Sequence, residues 1–147
     1  MFKEDVSKAT GKLTIEIKNE AGKVIDHREV NNLVVDTGLA YIAGRMKDAT
    51  ATAMSHMGIG TGAVAAAAGD TTLGTEAARV ALTSTTVTAN AVAYVASFAA
   101  GTGTGAVTEA GILNASSSGV LLCRTVFSVV NKAVTDSMTI TWTVTIS

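Results

Sequence analysis

Two glycine clusters carry the spacing in this chain that comes closest to a chemical motif. Residues 58–63 read Gly-Ile-Gly-Thr-Gly-Ala and residues 101–106 read Gly-Thr-Gly-Thr-Gly-Ala, so each fits the loose form of a dinucleotide-binding fingerprint. In that fingerprint the glycines let the backbone approach a pyrophosphate, and the N-terminus of a following helix binds it. Neither cluster is followed by a helical pattern, and the second leads into a strand. We therefore predict that both clusters are loops and that neither binds a cofactor.

Two histidines and one cysteine are the other side chains suited to catalysis or metal binding. His27 and His56 belong to separate strand-like segments, and neither has a Cys, His or carboxylate at the spacing of a metal site. Cys123 lies inside a strand pattern, where it is most simply a small buried apolar residue, and the sequence places no activating base beside it. We predict no catalytic residue, no metal site, no cofactor and no enzymatic activity.

Glu109 and Arg124 are the charged residues that predicted strand pairing brings together. They admit two interpretations, a catalytic acid with a cationic partner or a cross-strand ion pair that fixes the register, and the second is simpler. An exposed pair stabilises a fold by about 0–1 kcal/mol, whereas burial at a subunit contact makes the loss of one partner far more costly. Both residues are therefore structural or interface candidates.

The elements that position these residues are clearest at the C-terminus. Residues 137–147 place large apolar residues at even positions and Ser or Thr at odd positions, which predicts a β-strand with one buried face. Thr141, Thr143 and Thr145 lie on the other face. Two interpretations of these interface candidates stay open: a solvated face, or a contact with another subunit that buries their methyl groups and hydrogen-bonds their hydroxyls.

Two hairpins are predicted before and around this strand. Residues 106–131 form the first, and centring it on its Asn-Ala-Ser-Ser-Ser-Gly turn places Glu109 opposite Arg124 and Ile112 opposite Leu121.

Residues 120–147 form the second hairpin, which places Phe127 opposite Trp142 and Cys123 opposite Ile146. The result is a three-stranded meander with a common inner face. Seven residues are the core candidates: Ile112, Leu121, Cys123, Phe127, Ile140, Trp142 and Val144.

The first third of the chain contains a predicted arm, a hairpin and a helix. Residues 1–11 are polar and form the arm, and alternation over residues 13–30 predicts a β-hairpin around an Asn-Glu-Ala-Gly turn. A short α-helix is predicted over residues 37–47, with Asp36 or Thr37 capping its first N–H groups. Its predicted buried face consists of Leu39, Ile42, Ala43 and Met46.

Short segments fill the middle of the chain. Residues 54–60 read as a strand that opens into an ordered loop, and residues 71–79 read as a turn of helix or a connector. Three strands follow, at 80–82, 85–89 and 91–99. Regular short strands of this kind favour a mainly β fold, an antiparallel β-sandwich of jelly-roll type, with residues 12–147 as one domain.

The composition and net charge of the chain limit the classes of partner that we expect it to bind. The net charge is −1, the pI is near 6.1, and Lys and Arg are scattered, so we expect no nucleic-acid binding. No apolar run approaches the roughly 20 residues that span a bilayer, so we expect no membrane insertion. The N-terminus has no secretory pattern and the single cysteine cannot form an intrachain disulfide, which favours folding in a reducing cytoplasm. Only 16% of residues are charged, which favours self-association or docking onto a larger particle.

An ordered set of short motifs resembles a known group of proteins. The pattern of residues 57–62 followed by 69–79 is similar to one seen in small virion structural proteins of tailed bacteriophages. Residues 108–113, 123–127 and 140–144 resemble the same group in the same order. Residues 1–53 carry little of the resemblance.

The resemblance implies a non-enzymatic β-rich protein of the virion, folded in the host cytoplasm. The first hypothesis is a capsid decoration (cement) protein whose partners are the major capsid protein, copies of itself, or both. The alternative is a tail, baseplate or fibre component that binds a receptor or glycan through the loops at residues 58–69 and 101–105.

Overall fold

The computed structural model describes residues 9–47 and 51–147, which contain one α-helix and nine β-strands. The helix, α1, spans Asp36–Arg45. The strands are β1 Ala9–Lys18, β2 Val24–Val34, β3 His56–Gly60, β4 Glu76–Ala81, β5 Ser84–Thr88, β6 Ala91–Phe98, β7 Gly105–Leu113, β8 Leu121–Lys132 and β9 Ser137–Ile146. The prediction of a mainly β chain with one short helix is confirmed.

All nine strands belong to one antiparallel sheet in the order β4-β3-β7-β8-β2-β1-β9-β6-β5. The sheet curls, and β2 joins its two halves, because most of β2 pairs with β1 whereas Leu33 and Val34 pair with β8. We call β4, β3, β7 and β8 the first half and β1, β9, β6 and β5 the second half. A jelly-roll β-sandwich is not confirmed, because the strands form one continuous curled sheet.

Side chains from both halves share one apolar core. Period-two alternation turns every second residue of β1 and β9 toward it, and residues buried this way each stabilise the fold by about 1.5–3 kcal/mol. Phe127 is half-buried and packs against the core, and Leu121 lies in a second, smaller cluster with Val35 and Leu113. The other five core candidates are buried in the shared core: Ile112, Cys123, Ile140, Trp142 and Val144.

The predicted pairing of β8 with β9 is wrong, so the Phe127–Trp142 and Cys123–Ile146 pairs do not form. The hairpin of β1 and β2 lies between these strands, and Trp142 is instead opposite Leu13 of β1. Alternation decides which face a residue takes but not which strand lies beside it. β1 pairs with β9 over all ten of its residues without a register shift.

A buried lysine holds the connection that carries the chain from β8 to β9. Lys132 is 1% exposed, and its Nζ donates to the carbonyl oxygens of Ala99 at 2.9 Å and Asp136 at 2.7 Å. Burial lowers the pKa of Lys132, and the nearby Asp136 carboxylate opposes that shift. These bonds fix the point at which the chain crosses between the two halves of the sheet.

The predicted pairing of β7 with β8 is confirmed, but its register is wrong by two residues. Ile112 is opposite Cys123 rather than Leu121, and bulges interrupt the pairing near both ends of β7. The turn is asymmetric, since the Asn114 side chain accepts from Val120 N at 2.7 Å and Ser118 has a φ of 53°. A shift of two residues returns a side chain to the same face, so Ile112 and Cys123 keep the predicted inner face. Leu121 does not, because the bulge near Leu113 places it on the outer face, where its Cδ1 lies 3.0 Å from the position of a Cβ on Gly111.

Two other predicted boundaries need correction. Residues 1–8 of the predicted arm lie outside the described residues. Residues 9–11 belong to β1 and pair with β9, and Gly11 also pairs with β2. Residues 76–79, predicted as part of a turn or connector, lie in β4 and pair with β3. The hairpin predicted over residues 13–30 is confirmed and extends further at both ends.

The helix lies where it was predicted but presents a different face. Gly38 is its buried residue, and a Cβ there would overlap the carbonyl oxygen of Leu122, so the helix backbone lies directly against β8. Thr37 does not cap the helix; its hydroxyl donates to Leu121 O at 2.9 Å. This close approach turns three of the four residues predicted to be buried outward: Leu39, Ala43 and Met46.

Candidate functional site

Residues 61–75 form a covering segment that lies on the outer face of the first half. Three of the outward positions of β3 and β7 beneath it are glycines, Gly58, Gly60 and Gly111, so the segment can approach the sheet closely. Leu73 is 5% exposed, and its methyl groups lie where Cβ atoms on Gly58 and Gly111 would project. The glycines of β3 therefore make room for the covering segment.

The first glycine cluster is explained by this packing. A Cβ on Gly62 would overlap Oε2 of Glu109, and a Cβ on Gly60 would overlap the carbonyl oxygen of Thr75. Residues 58–60 lie in β3, which confirms the strand predicted at residues 54–60, and residues 61–63 form the loop predicted for this cluster. The second cluster, at 101–106, is a loop up to its last two residues, which begin β7.

Arg124 anchors the covering segment from below. It is 3% exposed and projects from the outer face of β8. Its Nη1 donates to Asp70 Oδ2 at 2.8 Å, and its Nη2 donates to the Val64 carbonyl oxygen at 3.1 Å. Its Nε is buried and has no hydrogen-bond partner within the described part of the chain. One guanidinium thus ties two points of the segment to the sheet.

Glu109 anchors the other end of the segment. It is fully buried, and its carboxylate accepts from Gly74 N at 2.6 Å and Thr75 N at 3.2 Å. Arg124 Nη2 lies 3.6 Å from Glu109 Oε2, which makes an ion pair but not a hydrogen bond. Since backbone N–H groups occupy both carboxylate oxygens and Gly62 packs on one of them, the geometry is that of a structural clamp.

The sequence predicted two members of this cluster and missed the third. Glu109 and Arg124 do meet, but diagonally, because Glu109 is opposite Val126 and Arg124 is opposite Gly111. Asp70 lies 54 residues before Arg124 and outside every strand, so no periodic pattern points to it. The glycines at residues 58–62 are the signal that could have predicted it, because strand positions without side chains allow another segment to lie over Glu109 and Arg124.

Replacing Asp70 with asparagine is expected to make the free energy of unfolding depend less on pH in the acidic range. The backbone N–H of Ala67 and the Arg124 guanidinium lower the pKa of Asp70 in the folded state, although partial burial opposes this. A lowered folded pKa stabilises the fold above the unfolded pKa, near 3.8, and this contribution is lost as the pH falls through the folded value. Urea unfolding at a series of pH values should show D70N less stable than wild type at neutral pH. The difference should shrink below about pH 4; a pH-independent difference would contradict this.

The outer face of the second half has a different chemistry. Three adjacent strands, β5, β6 and β9, contain no charged residue. Thr141 is opposite Thr14 on one side and Val95 on the other, so hydroxyl and small apolar groups alternate across the sheet. We call this surface the threonine face. Its members are Thr10, Thr14, Ser84, Thr86, Thr88, Ala91, Ala93, Val95, Ser97, Thr139, Thr141, Thr143 and Thr145.

No member of the threonine face is fully buried. Thr141 is exposed, Thr143 and Thr145 are half-buried by their neighbours, and a shallow depression of about 310 Å³ lies beside the last two. Charge begins in β1, where Lys12 is opposite Thr143 and its Nζ lies 3.1 Å from Glu29 Oε2. The three predicted interface threonines therefore lie together on a hydroxyl-rich surface whose other strands, β5 and β6, carry no charge.

A cavity of about 210 Å³ opens between the helix and the second half. Its walls are mainly apolar, with Tyr41 and Arg45 of α1 on one side and Asn90 and Tyr94 on the other. The Arg45 guanidinium carbon lies 6.0 Å from the centre of the Tyr41 ring. Burial, with a smaller contribution from Tyr41, raises the pKa of Tyr94 to about 12, so its hydroxyl stays protonated at neutral pH. No pattern in the sequence predicts this cavity.

The remaining candidates are dispersed. Cys123 is fully buried, and burial raises the pKa of its thiol well above the ordinary value. His27 is exposed on β2, whereas His56 Nδ1 lies 2.8 Å from Ser55 Oγ. Within residues 9–47 and 51–147, no three Cys, His, Asp or Glu side chains are close enough to hold a metal ion. No helix in those ranges has the length and apolar content needed to cross a bilayer.

Comparison of the chain with protein-family models, with curated proteins and with solved structures finds no match in any of the three.

Proposed function

We propose that this chain is a non-enzymatic structural protein of a tailed-bacteriophage virion, a capsid decoration (cement) protein that docks on the major capsid protein through the threonine face. The observation that carries the proposal is the absence of charge from β5, β6 and β9, beside a first half whose outer face is already covered by residues 61–75. The resemblance of the sequence motifs to virion structural proteins supports the choice of particle.

The chemistry of the threonine face suits docking. Threonine side chains are stiff about χ1, so ordering them in a contact costs little conformational entropy. Their methyl groups bury apolar area, their hydroxyls donate or accept hydrogen bonds, and β5, β6 and β9 contribute no charge that has to be desolvated. An open β-surface with only a shallow depression fits a shell better than it fits a small ligand, which requires a concave site.

The size of the face also points to a many-copy particle. Four strands about 4.8 Å apart and about eight residues long at about 3.3 Å per residue give a footprint of about 500 Å². A stable one-to-one contact buries about 800 Å² on each partner. One copy alone is therefore expected to bind weakly, and binding becomes strong when linked copies engage neighbouring capsomers together.

Replacing Thr141 with lysine is expected to weaken binding to capsids about tenfold to a hundredfold, because an unpaired charge is forced into the contact. The measurement is co-sedimentation of purified protein with expanded heads that lack it. Val64→Lys is the matched control, since Val64 is 80% exposed on the covering segment of the other half. Binding by T141K equal to that of V64K would contradict the assignment of the docking face.

A tail, baseplate or fibre component that binds a receptor or glycan is the second candidate. The cavity with Tyr41, Tyr94, Arg45 and Asn90 favours it, because aromatic rings and a few polar groups are what sugars contact. The loop at residues 58–69, which this alternative uses for recognition, is bonded to the sheet through the Gly62 and Val64 carbonyl groups and leaves most of its side chains exposed. Micrographs of the virion that locate this domain distinguish the two: density on the head shell is expected, and density confined to the tail refutes decoration.

A further inference from the structure

Strand β5 is the free edge of the second half. It pairs with β6 through all five of its residues, Ser84–Thr88, and it is the last strand of the sheet. Within the described chain, no backbone hydrogen bond joins its other side to anything. A row of unpaired N–H and C=O groups of this kind is a template for another strand.

The strand is also uncovered on both of its faces. All five residues are exposed, including Val87, which is 70% exposed although it lies on the inward side opposite Val92. The core therefore ends at β6, and β5 extends beyond it as a ribbon. Neither packing nor a neighbouring loop hides the edge.

The opposite edge of the sheet, formed by β4, is protected against pairing with another strand. β4 carries Glu76 and Arg79, paired at 2.7 Å, and Arg79 Nη1 also donates to the carbonyl oxygens of Ala115 and Ser118 at 2.9 Å each. Charges and covering turns are the usual means by which proteins block edge-to-edge pairing. β5 has no charge and no bulge, and the chain has no proline.

We propose that β5 pairs antiparallel with β5 of a second copy about a two-fold axis normal to the sheet. The occupant is a second copy because the strand is complementary to itself. A two-fold centred on Thr86 places Thr86 opposite Thr86, Thr85 opposite Val87 and Ser84 opposite Thr88 of the partner. Every pair is neutral and β-compatible, and cross-strand Thr–Thr pairs are favourable.

This arrangement deepens the proposed function and rests on it for its biological purpose. A two-fold normal to the sheet keeps the threonine faces of both copies on the same side. The footprint then doubles from about 500 to about 1,000 Å², above the roughly 800 Å² per partner that a stable contact needs. A five-residue strand pair alone is a small interface, so we expect a weak dimer that forms at high protein concentration.

Sedimentation equilibrium over a concentration series at low ionic strength tests the pairing. Wild type is expected to show a monomer–dimer equilibrium. Thr86→Lys and Thr86→Glu should each lower the association constant at least tenfold, because like charges face each other across the axis. An equimolar mixture of T86K and T86E should recover dimers, since opposite charges then meet.

Two controls keep the outcome clear. T141K alters the threonine face away from the edge and should dimerise as wild type does, so loss of capsid docking and loss of dimerisation are separate results. Equal melting temperatures for T86K and wild type exclude misfolding, which is expected because Thr86 is exposed. A wild type that stays monomeric at the highest concentration, a T86K variant that still dimerises, or a mixture that fails to recover dimers overturns the proposal.

Discussion

Replacing Arg124 with methionine is expected to lower the free energy of unfolding by about 3–5 kcal/mol, the usual cost of removing one partner from a buried ion pair. The substitution leaves the Glu109 carboxylate, which is fully buried, without its cation. It also removes the bonds to Asp70 and Val64 that hold the covering segment down. Methionine keeps the length of the side chain, so the measured loss reports charge and hydrogen bonding more than volume. Urea unfolding at neutral pH gives the value.

A double-mutant cycle with Glu109→Gln separates the ion pair from general disruption. The double variant should be more stable than the sum of the single losses predicts, with a coupling of about 0.5–3 kcal/mol. Lys12→Met is the surface control, because the pair of Lys12 with Glu29 is more than half exposed and should contribute at most about 1 kcal/mol. A loss of less than 1 kcal/mol for R124M, matching that of K12M, would mean that the cluster does not hold the fold together.

Replacing Gly62 with alanine is expected to cost about 1–3 kcal/mol or more, because the added methyl group overlaps the buried Glu109 carboxylate and must displace it or the segment. Displacement weakens the bonds that Glu109 accepts from Gly74 and Thr75. The backbone of Gly62 does not have a positive φ, so the cost arises from the close approach alone. Thermal unfolding of the two proteins side by side gives the difference.

Gly69→Ala provides the matched control within the same segment. A Cβ on Gly69 meets no atom within 4 Å, and its φ is also not positive. Alanine there should be neutral or stabilise the protein by about 0.4–1 kcal/mol, because it restricts the unfolded chain. Equal effects of the two substitutions would show that the segment is not clamped where the structure places it.

Charge is distributed differently over the two halves of the sheet. In the first half, Arg124 and Glu109 are used internally and the outer face is covered. In the second half, three strands without charge leave a neutral face open and end in the unprotected edge of β5. Substitutions in the first half are expected to change stability, and substitutions in the second half are expected to change docking and dimerisation, so the two sets of measurements are independent.

The faces of the strands were determined by the sequence alone. Alternation is a local property of an extended backbone, so Ile140, Trp142 and Val144 could be assigned to a buried face without knowledge of their neighbours. The inward face of Ile112 and Cys123 followed in the same way and survived a register error of two residues. The hydroxyl face of β9 and its lack of charge were likewise visible in the residues themselves.

Which strands lie side by side was decided only by the tertiary structure. Every strand offers the same backbone hydrogen-bonding groups, so local pattern could not tell that β1, rather than β8, lies beside β9. The bond between Arg124 and Asp70 could not be predicted for the same reason, because residues 54 positions apart meet only if the loop that carries Asp70 follows the right path. The buried face of the helix was also predicted wrongly, because the orientation of the helix follows from the contact of Gly38 with β8 rather than from its apolar periodicity. Contacts between distant segments depend on the shape of both partners at once, and that information exists only in the folded chain.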